Sequence, residues 1–294
     1  TVIAFHKMYQ DESQVFPKNA SDAEYFERLR SCYPIHPEVF DQLYGTWSQL
    51  ERFQRTRGVL RLMAKVISTL WQGNDNSPMI LPGTIPLFEK EVAGEFTRNL
   101  PEDAVWDPII TTEIDGNKSI SHVIDGTNPL YGQTQMARRV ARTLFIGTAP
   151  RVQSKARGLE KSSILLGSLE PGVPVSRPTD ALSHITNRSA NLYEDGRRFW
   201  YDTQKNLKRE AEERARAIED FRVRDLIMKL LIKDSQKGRA ELEKVHISDK
   251  PEEILDEMSQ RLVILPPDTL WSDKGDQGWK DAVTRILDSK GGGN

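Results

Sequence analysis

Only one cysteine, Cys32, stands in 294 residues. A single thiol permits no internal disulfide and no thiolate zinc site, which agrees with a reducing compartment, and Cys32 reads as a small buried hydrophobe. No run of eighteen apolar residues is present to cross a bilayer, and the first thirty residues lack the basic-then-apolar pattern of a signal peptide. These absences predict a cytoplasmic protein with no membrane partner. An excess of charge is also missing: 41 Lys and Arg against 43 Asp and Glu leave a net −2, so any nucleic-acid contact must come from a local patch. No Gly-Lys pair occurs, and with it goes the Gly-Lys-Ser/Thr element that cradles nucleotide phosphates and serves magnesium. The chain alone is not expected to hydrolyse ATP.

What is present, 37% hydrophobic and 29% charged residues, is the make-up of a globular protein long enough for two or three cores. The pattern predicts a mainly α, multi-domain chain. It divides into a helical bundle over residues 1–72, a linker and small helical insertion over 73–132, and a winged-helix domain over 133–205. A long charged helix over 206–236 and an incomplete α/β segment over 237–294 follow. Thr1 in place of a start methionine and the closing Gly-Gly-Gly-Asn point to an excised fragment.

The most informative stretch is Glu51 to Trp71. Val59, Leu62, Met63, Val66, Ile67 and Leu70 recur at helical steps, while Arg57, Arg61 and Lys65 lie on the opposite side. Gly58, at the helix entry, lets another backbone or a ligand come close. The Gly58-x-x-Arg61 element resembles the sensor-2 arginine of AAA+ ATPases, which reaches the nucleotide phosphates. Tyr33-Pro34-Ile35-His36-Pro37-Glu38, followed by Phe53-Gln54-Arg55-Thr56-Arg57-Gly58-Val59-Leu60-Arg61, resembles the prokaryotic family of large ATPases called domain of unknown function 499. The resemblance runs from about Phe16 to about Pro267. It implies a helical AAA+ lid, with Arg61 catalytic and Arg55, Arg57, Gly58 and Arg61 facing a nucleotide. It also implies that ATP and Mg are held in the full-length protein by a nucleotide-binding domain upstream in the same chain. Members are often encoded beside DNA methyltransferases in phage-defence clusters, so a methyltransferase or another defence-system protein is an expected partner. The plainer reading of the same residues is a basic helix whose arginines pair with local carboxylates.

Along the chain, Val2–Phe5 suggests a short strand, and Ser21 with Glu24 a capping box opening a helix from about Asp22 to Arg30. Pro37 opens a helix carrying Val39 through Leu50, and His36 beside it is a capping or packing residue rather than a catalytic base. Gly73–Pro86 reads as a linker, Phe88–Arg98 and Asp103–Glu113 as helices, and Asp115–Ser119 and Asp125–Pro129 as exposed turns. Glu113, Asp115 and Asp125 carry no metal-ligand spacing and are expected to be solvated.

Between Gln133 and Thr203, three helices precede a hairpin around Asp195-Gly196, the layout of a winged helix. The first runs from about Gln133. The second spans about Leu159–Leu169, and the third follows Pro178 with Thr179 as its cap. Such a domain offers its third helix, here Asp180, Ser183, His184, Thr186, Asn187 and Arg188, and its wing, here Arg197 and Arg198, to duplex DNA. Arg138, Arg139 and Arg142, with Arg151, Lys155, Arg157 and Lys161, extend that cationic candidate surface. A winged helix that only bridges protein domains fits equally. Asn206–Asp234 reads as one helix broken by Gly238. Lys244–Ile247 and Arg261–Leu265 read as strands around a helix from Pro251 to Met258, with a last helix over Gly278–Leu287. Two function classes follow: the regulatory half of an ATPase, or a binding module with no nucleotide role.

Overall fold

The computed structural model describes residues 1–127, 129–152, 154, 157–207, 211, 214–215, 217–235, 242–269 and 278–290. Val2–Asp11 is a helix, α1, not the strand expected of its first residues. Phe5 and Tyr9 are buried while Ile3 and Lys7 are exposed, a four-residue period that a strand, with 3, 5, 7 and 9 on one face, does not give. α2 is Ala23–Cys32. Its N-cap is Asp22 and the Ser21–Glu24 box does not form, because Ser21 Oγ donates instead to the Lys18 carbonyl.

α3, Pro37–Gly45, starts with Pro37 in its first turn and His36 as its cap. His36 Nδ1 accepts from the Glu38 amide at 3.2 Å, and Nε2 lies 3.0 Å from the Tyr9 hydroxyl. Burial, with Arg28 adding a smaller push, lowers the His36 pKa to about 3, so the ring is neutral and Nε2–H is the donor to Tyr9. Sealed from solvent, it caps and packs. α3 stops at Gly45, short of Leu50, and Trp47 and Phe53 sit in 3-10 turns.

α4 is Arg55–Gln72, α5 Lys90–Thr97 and α6 Asp103–Ile109, the last running into a π-helical turn over Ile110–Ile114. α7 is Ile120–Thr127, α8 the single turn Pro129–Gly132, and α9 Met136–Thr148. Asp125 is therefore helical, not in a turn. The three segments expected as separate, residues 1–72, 73–132 and 133–205, share one core within a unit spanning residues 1–210. Trp47 from the first meets Phe96 of the second edge-on at 4.7 Å, and Trp106 of the second meets Phe145 of the third at 5.5 Å. Trp47 Nε1 also donates to the Ile146 carbonyl at 2.8 Å. The supposed linker threads this core, with Met79, Leu81, Ile85 and Leu87 buried. Its small residues serve close approach: a Cβ on Gly83 would lie 2.8 Å from the Arg139 carbonyl oxygen.

Strand β1, Leu159–Glu160, precedes α10, Lys161–Ser168, and α11, Ser176–Arg188. α11 begins before Pro178, which its first turn tolerates, so Thr179 is not the cap. β2, Leu192–Asp195, and β3, Arg198–Tyr201, form the expected hairpin. Asp195 pairs with Arg198, so the turn is Gly196-Arg197, one residue later than Asp195-Gly196. β1 adds to β3 antiparallel, giving the sheet order β1-β3-β2.

A second unit covers residues 211–294. Within it α12, Asp220–Ser235, follows a turn at 217–219, so the expected single helix from Asn206 is interrupted. Parts of that stretch, together with Gly238, Lys155 and the terminal glycines, lie outside the described residues. β4, Lys244–Ile247, and β5, Arg261–Ile264, pair in parallel as expected, Lys244 opposite Arg261. Between them only Pro251–Glu253 makes a 3-10 turn, so the expected helix to Met258 is absent. α13 is Gly278–Ser289.

Candidate functional site

α4 buries Val59, Leu62, Met63 and Val66 on one face with Leu70 partly buried beside them, whereas Ile67, expected on that face, is 46% exposed. Gly58 is dictated by the chain itself, since a Cβ there would lie 1.7 Å from the Phe53 carbonyl oxygen. One turn on, Arg61 directs its Nε to Glu95 Oε2 at 2.8 Å. Lys65 Nζ reaches Glu95 Oε1 at 2.9 Å and Arg98 Nη2 approaches the same oxygen at 3.3 Å. Three cations thus surround one carboxylate that is 2% exposed, while the Arg61 side chain is 39% exposed. Burial pushes the Glu95 carboxyl up, but the hydrogen bonds from Lys65 and Arg61 outweigh it and hold the pKa below its ordinary value. Glu95 takes only the Nε of Arg61, and among the described residues nothing engages its two terminal amino groups. That free edge is the bidentate face a guanidinium offers to phosphate. Arg55 and Arg57, on the first turn of α4, are exposed and carry no ion pair among the described residues.

The cationic surface expected on α9 does not exist. Arg142 is 3% exposed, with Nη2 2.6 Å from Asp115 Oδ1 and Nη1 3.3 Å from the Gly83 carbonyl. Arg139 is buried, pairing with Glu170 through Nη1 and donating to Ser77 Oγ at 2.9 Å through Nη2. Arg138 Nε meets Asp125 Oδ2 at 3.0 Å with most of its side chain covered. Held inside the unit by these carboxylates, the three arginines do not face a duplex.

The acids expected to be solvated are buried as well. Asp125 accepts from the Ala137 amide at 2.8 Å, closing the start of α9, and Asp115 accepts from the Phe88 amide at 2.7 Å. Glu113, on the π-helical turn, accepts from the Ala190 and Asn191 amides at 3.2 and 3.1 Å, tying that turn to the end of α11. No group of three His, Cys, Asp or Glu that could hold a metal ion occurs among the described residues. Burial pushes the Glu113 pKa up to about 7 against the pull of those amides. A raised carboxyl pKa gives stability that is fully present below the ordinary value and lost as pH rises through 7. The shift corresponds to about 3 kcal/mol. Glu113→Gln is expected to flatten this decline in urea unfolding between pH 5 and 8. His36 acts with the opposite sign, losing stability as pH falls from 6.5 toward 3, so the difference between wild type and variant isolates Glu113. Parallel pH profiles for the two proteins would contradict the assignment.

On α11, Asp180, Ser183, His184, Asn187 and Arg188 are exposed as expected, whereas Thr186 is buried. Arg197 and Arg198 sit exposed at and beside the hairpin turn, and Arg198 approaches Glu160 at 3.8 Å. Lys161, Arg188, Arg197 and Arg198 on this side are matched in number by the exposed Glu160, Asp180, Glu194 and Asp195, and exposed Arg157 pairs with Asp202 at 3.6 Å. The face is polar and close to neutral.

The family model described as the DUF499 second domain matches residues 5–159, more than half of the chain. The chain belongs to the DUF499 family. No curated protein and no solved structure matches it. The DUF499 match begins before Phe16 and contains α4, Glu95 and α9. It stops at Leu159, short of the expected Pro267, so α10, α11 and the hairpin lie beyond it. Among the described residues, no helix is long and apolar enough to cross a membrane. The residue of this cluster missed from sequence is Glu95. Its signal is an acid at an inward position of α5, beside the buried Val92, Ala93 and Phe96.

Proposed function

We propose that this chain is the lid and winged-helix part of an AAA+ ATPase. In this reading Arg61 senses the phosphates of an ATP–Mg²⁺ complex held by an upstream domain of the same protein. The observation that supports it most is the posture of Arg61: Glu95 fixes the guanidinium through Nε and leaves the other edge facing solvent. Arg55 and Arg57 on the preceding turn add positive charge at the point of entry. Motion of this region has a physical path onward. Trp47, which α4 packs near, is hydrogen-bonded to the Ile146 carbonyl in the last turn of α9, and in that same turn the Thr148 hydroxyl accepts from the Tyr201 amide of β3 at 3.3 Å. We read residues 133–205 as the winged helix that receives it.

The near-neutral face of α11 and the hairpin favours a protein, such as a methyltransferase or another defence-system component, over duplex DNA. With Arg138, Arg139 and Arg142 inside, Lys161, Arg188, Arg197 and Arg198 are the exposed cations left for phosphates on this side. Binding to a random duplex is expected to show a log–log salt slope no steeper than about −4, at roughly 0.9 per contact. A slope several units steeper in fluorescence anisotropy would restore the DNA reading.

The competing reading is a binding module in which Arg61 only pairs with Glu95. Arg61→Ala in the full-length protein separates the two: ATP turnover falls if Arg61 meets phosphate, and stays at the wild-type level if it is a structural ion pair.

A further inference from the structure

α4 has a second apolar stripe that its own unit leaves uncovered. Leu60, Ile67 and Trp71 recur at steps of seven and four, with Ala64 between them, which places them on one side of the helix, turned away from Val59, Leu62 and Val66. They are 66%, 46% and 84% exposed. Three side chains of this size uncover on the order of 400 Å² of apolar surface, the scale at which a patch marks an interaction site rather than scattered exposure.

The charge beside the stripe specifies what covers it. α4 carries Arg55, Arg57, Arg61 and Lys65 and no acid in 18 residues. Glu95 neutralises part of the Arg61 and Lys65 charge, whereas Arg55 and Arg57 have no ion pair among the described residues. We propose that the outward face of α4 docks an acidic amphipathic helix of a protein partner. Its apolar side covers Leu60, Ile67 and Trp71, and its carboxylates meet Arg57, which flanks the stripe on the helix surface. A second copy of α4 does not fit, because pairing the stripe with itself would bring two sets of cations together without a counter-charge. A helix in this position adds the i, i+4, i+7 anchoring of helix-on-helix recognition. The inference does not rest on the nucleotide reading, since the stripe lies beside Arg61 and does not use its free edge.

The test is fluorescence anisotropy of the full chain against a labelled Leu/Glu heptad peptide, its Leu/Lys twin, and vesicles of phosphatidylserine and phosphatidylcholine. Binding of the acidic peptide is expected, weakened by salt. Trp71→Ala is expected to weaken it by about 10-fold or more, as loss of an aromatic anchor does. Arg57→Glu is expected to shift preference toward the Lys twin. Trp71 is exposed, so its truncation leaves the fold intact, and circular dichroism verifies this. Binding of neither peptide, equal binding of both, affinity unchanged by Trp71→Ala, or association with vesicles alone would each overturn the proposal.

Discussion

Arg142→Ala is expected to lower the unfolding free energy by about 3–5 kcal/mol, the cost of stranding one member of a buried ion pair. The size follows from the surroundings of Asp115. Its carboxylate is 2% exposed, and burial already raises its pKa in spite of the Arg142 charge 2.6 Å away. Without the guanidinium only the Phe88 amide remains as a strong donor, and the carboxyl is driven to take up a proton. The deficit is therefore expected to be largest above neutral pH and to shrink in acid. Replacing both partners, Arg142→Met with Asp115→Leu, is expected to recover much of the loss because no buried charge is left. Arg138→Ala should cost less, since Asp125 keeps two backbone amides. Guanidinium unfolding at pH 6 and 8 measures all of these. An Arg142→Ala protein within about 1 kcal/mol of wild type, the range of exposed ion pairs, would mean that the arginine faces solvent after all.

That prediction also marks where sequence reading gives out. Periodicity located the Val59–Val66 stripe of α4, the hairpin around Gly196 and the β4 and β5 strands, because each is a local pattern with a local cause. α9 defeated the same reasoning. Its apolar residues do mark a face, and Arg138, Arg139 and Arg142 do lie elsewhere, but elsewhere is not solvent. α7, α10, α11 and the threaded segment around Gly83 surround the helix, and 12 of its 13 residues are buried. What makes a buried arginine tolerable is a carboxylate far away in the chain: Asp115 is 27 residues from Arg142, and Glu170 is 31 from Arg139. Such pairs leave no spacing signature. The burial of Glu113, Asp115 and Asp125 escapes a sequence reading for the same reason, since the amides and guanidinia that bind them come from other segments. The short extent of the family match adds to this: the sequence phrases around His36 and Arg61 lie within it, and the hairpin face does not.

Arg61→Ala in the full-length protein is expected to lower ATP turnover by roughly 10³-fold, the effect of removing an arginine that stabilises phosphate charge in phosphoryl transfer. The fold is expected to survive. The Arg61 side chain is 39% exposed, and its removal leaves Glu95 with Lys65 and Arg98, so the stability cost is about 1 kcal/mol or less. Glu95→Gln tests the positioning role separately. Arg61 then keeps its charge, but its charge-assisted bond to the carboxylate is reduced to a weaker neutral one that aims it less firmly, and turnover is expected to fall by about 10-fold, as for a loosened catalytic group. A purely structural ion pair predicts a different pattern: both variants lose a little stability and neither loses turnover. Unfolding midpoints and kcat, measured on the same preparations, distinguish the two cases. A kcat that drops in Arg61→Ala with an unchanged unfolding midpoint assigns Arg61 to the nucleotide. A kcat equal to wild type in both variants reduces the Arg61–Glu95 contact to packing.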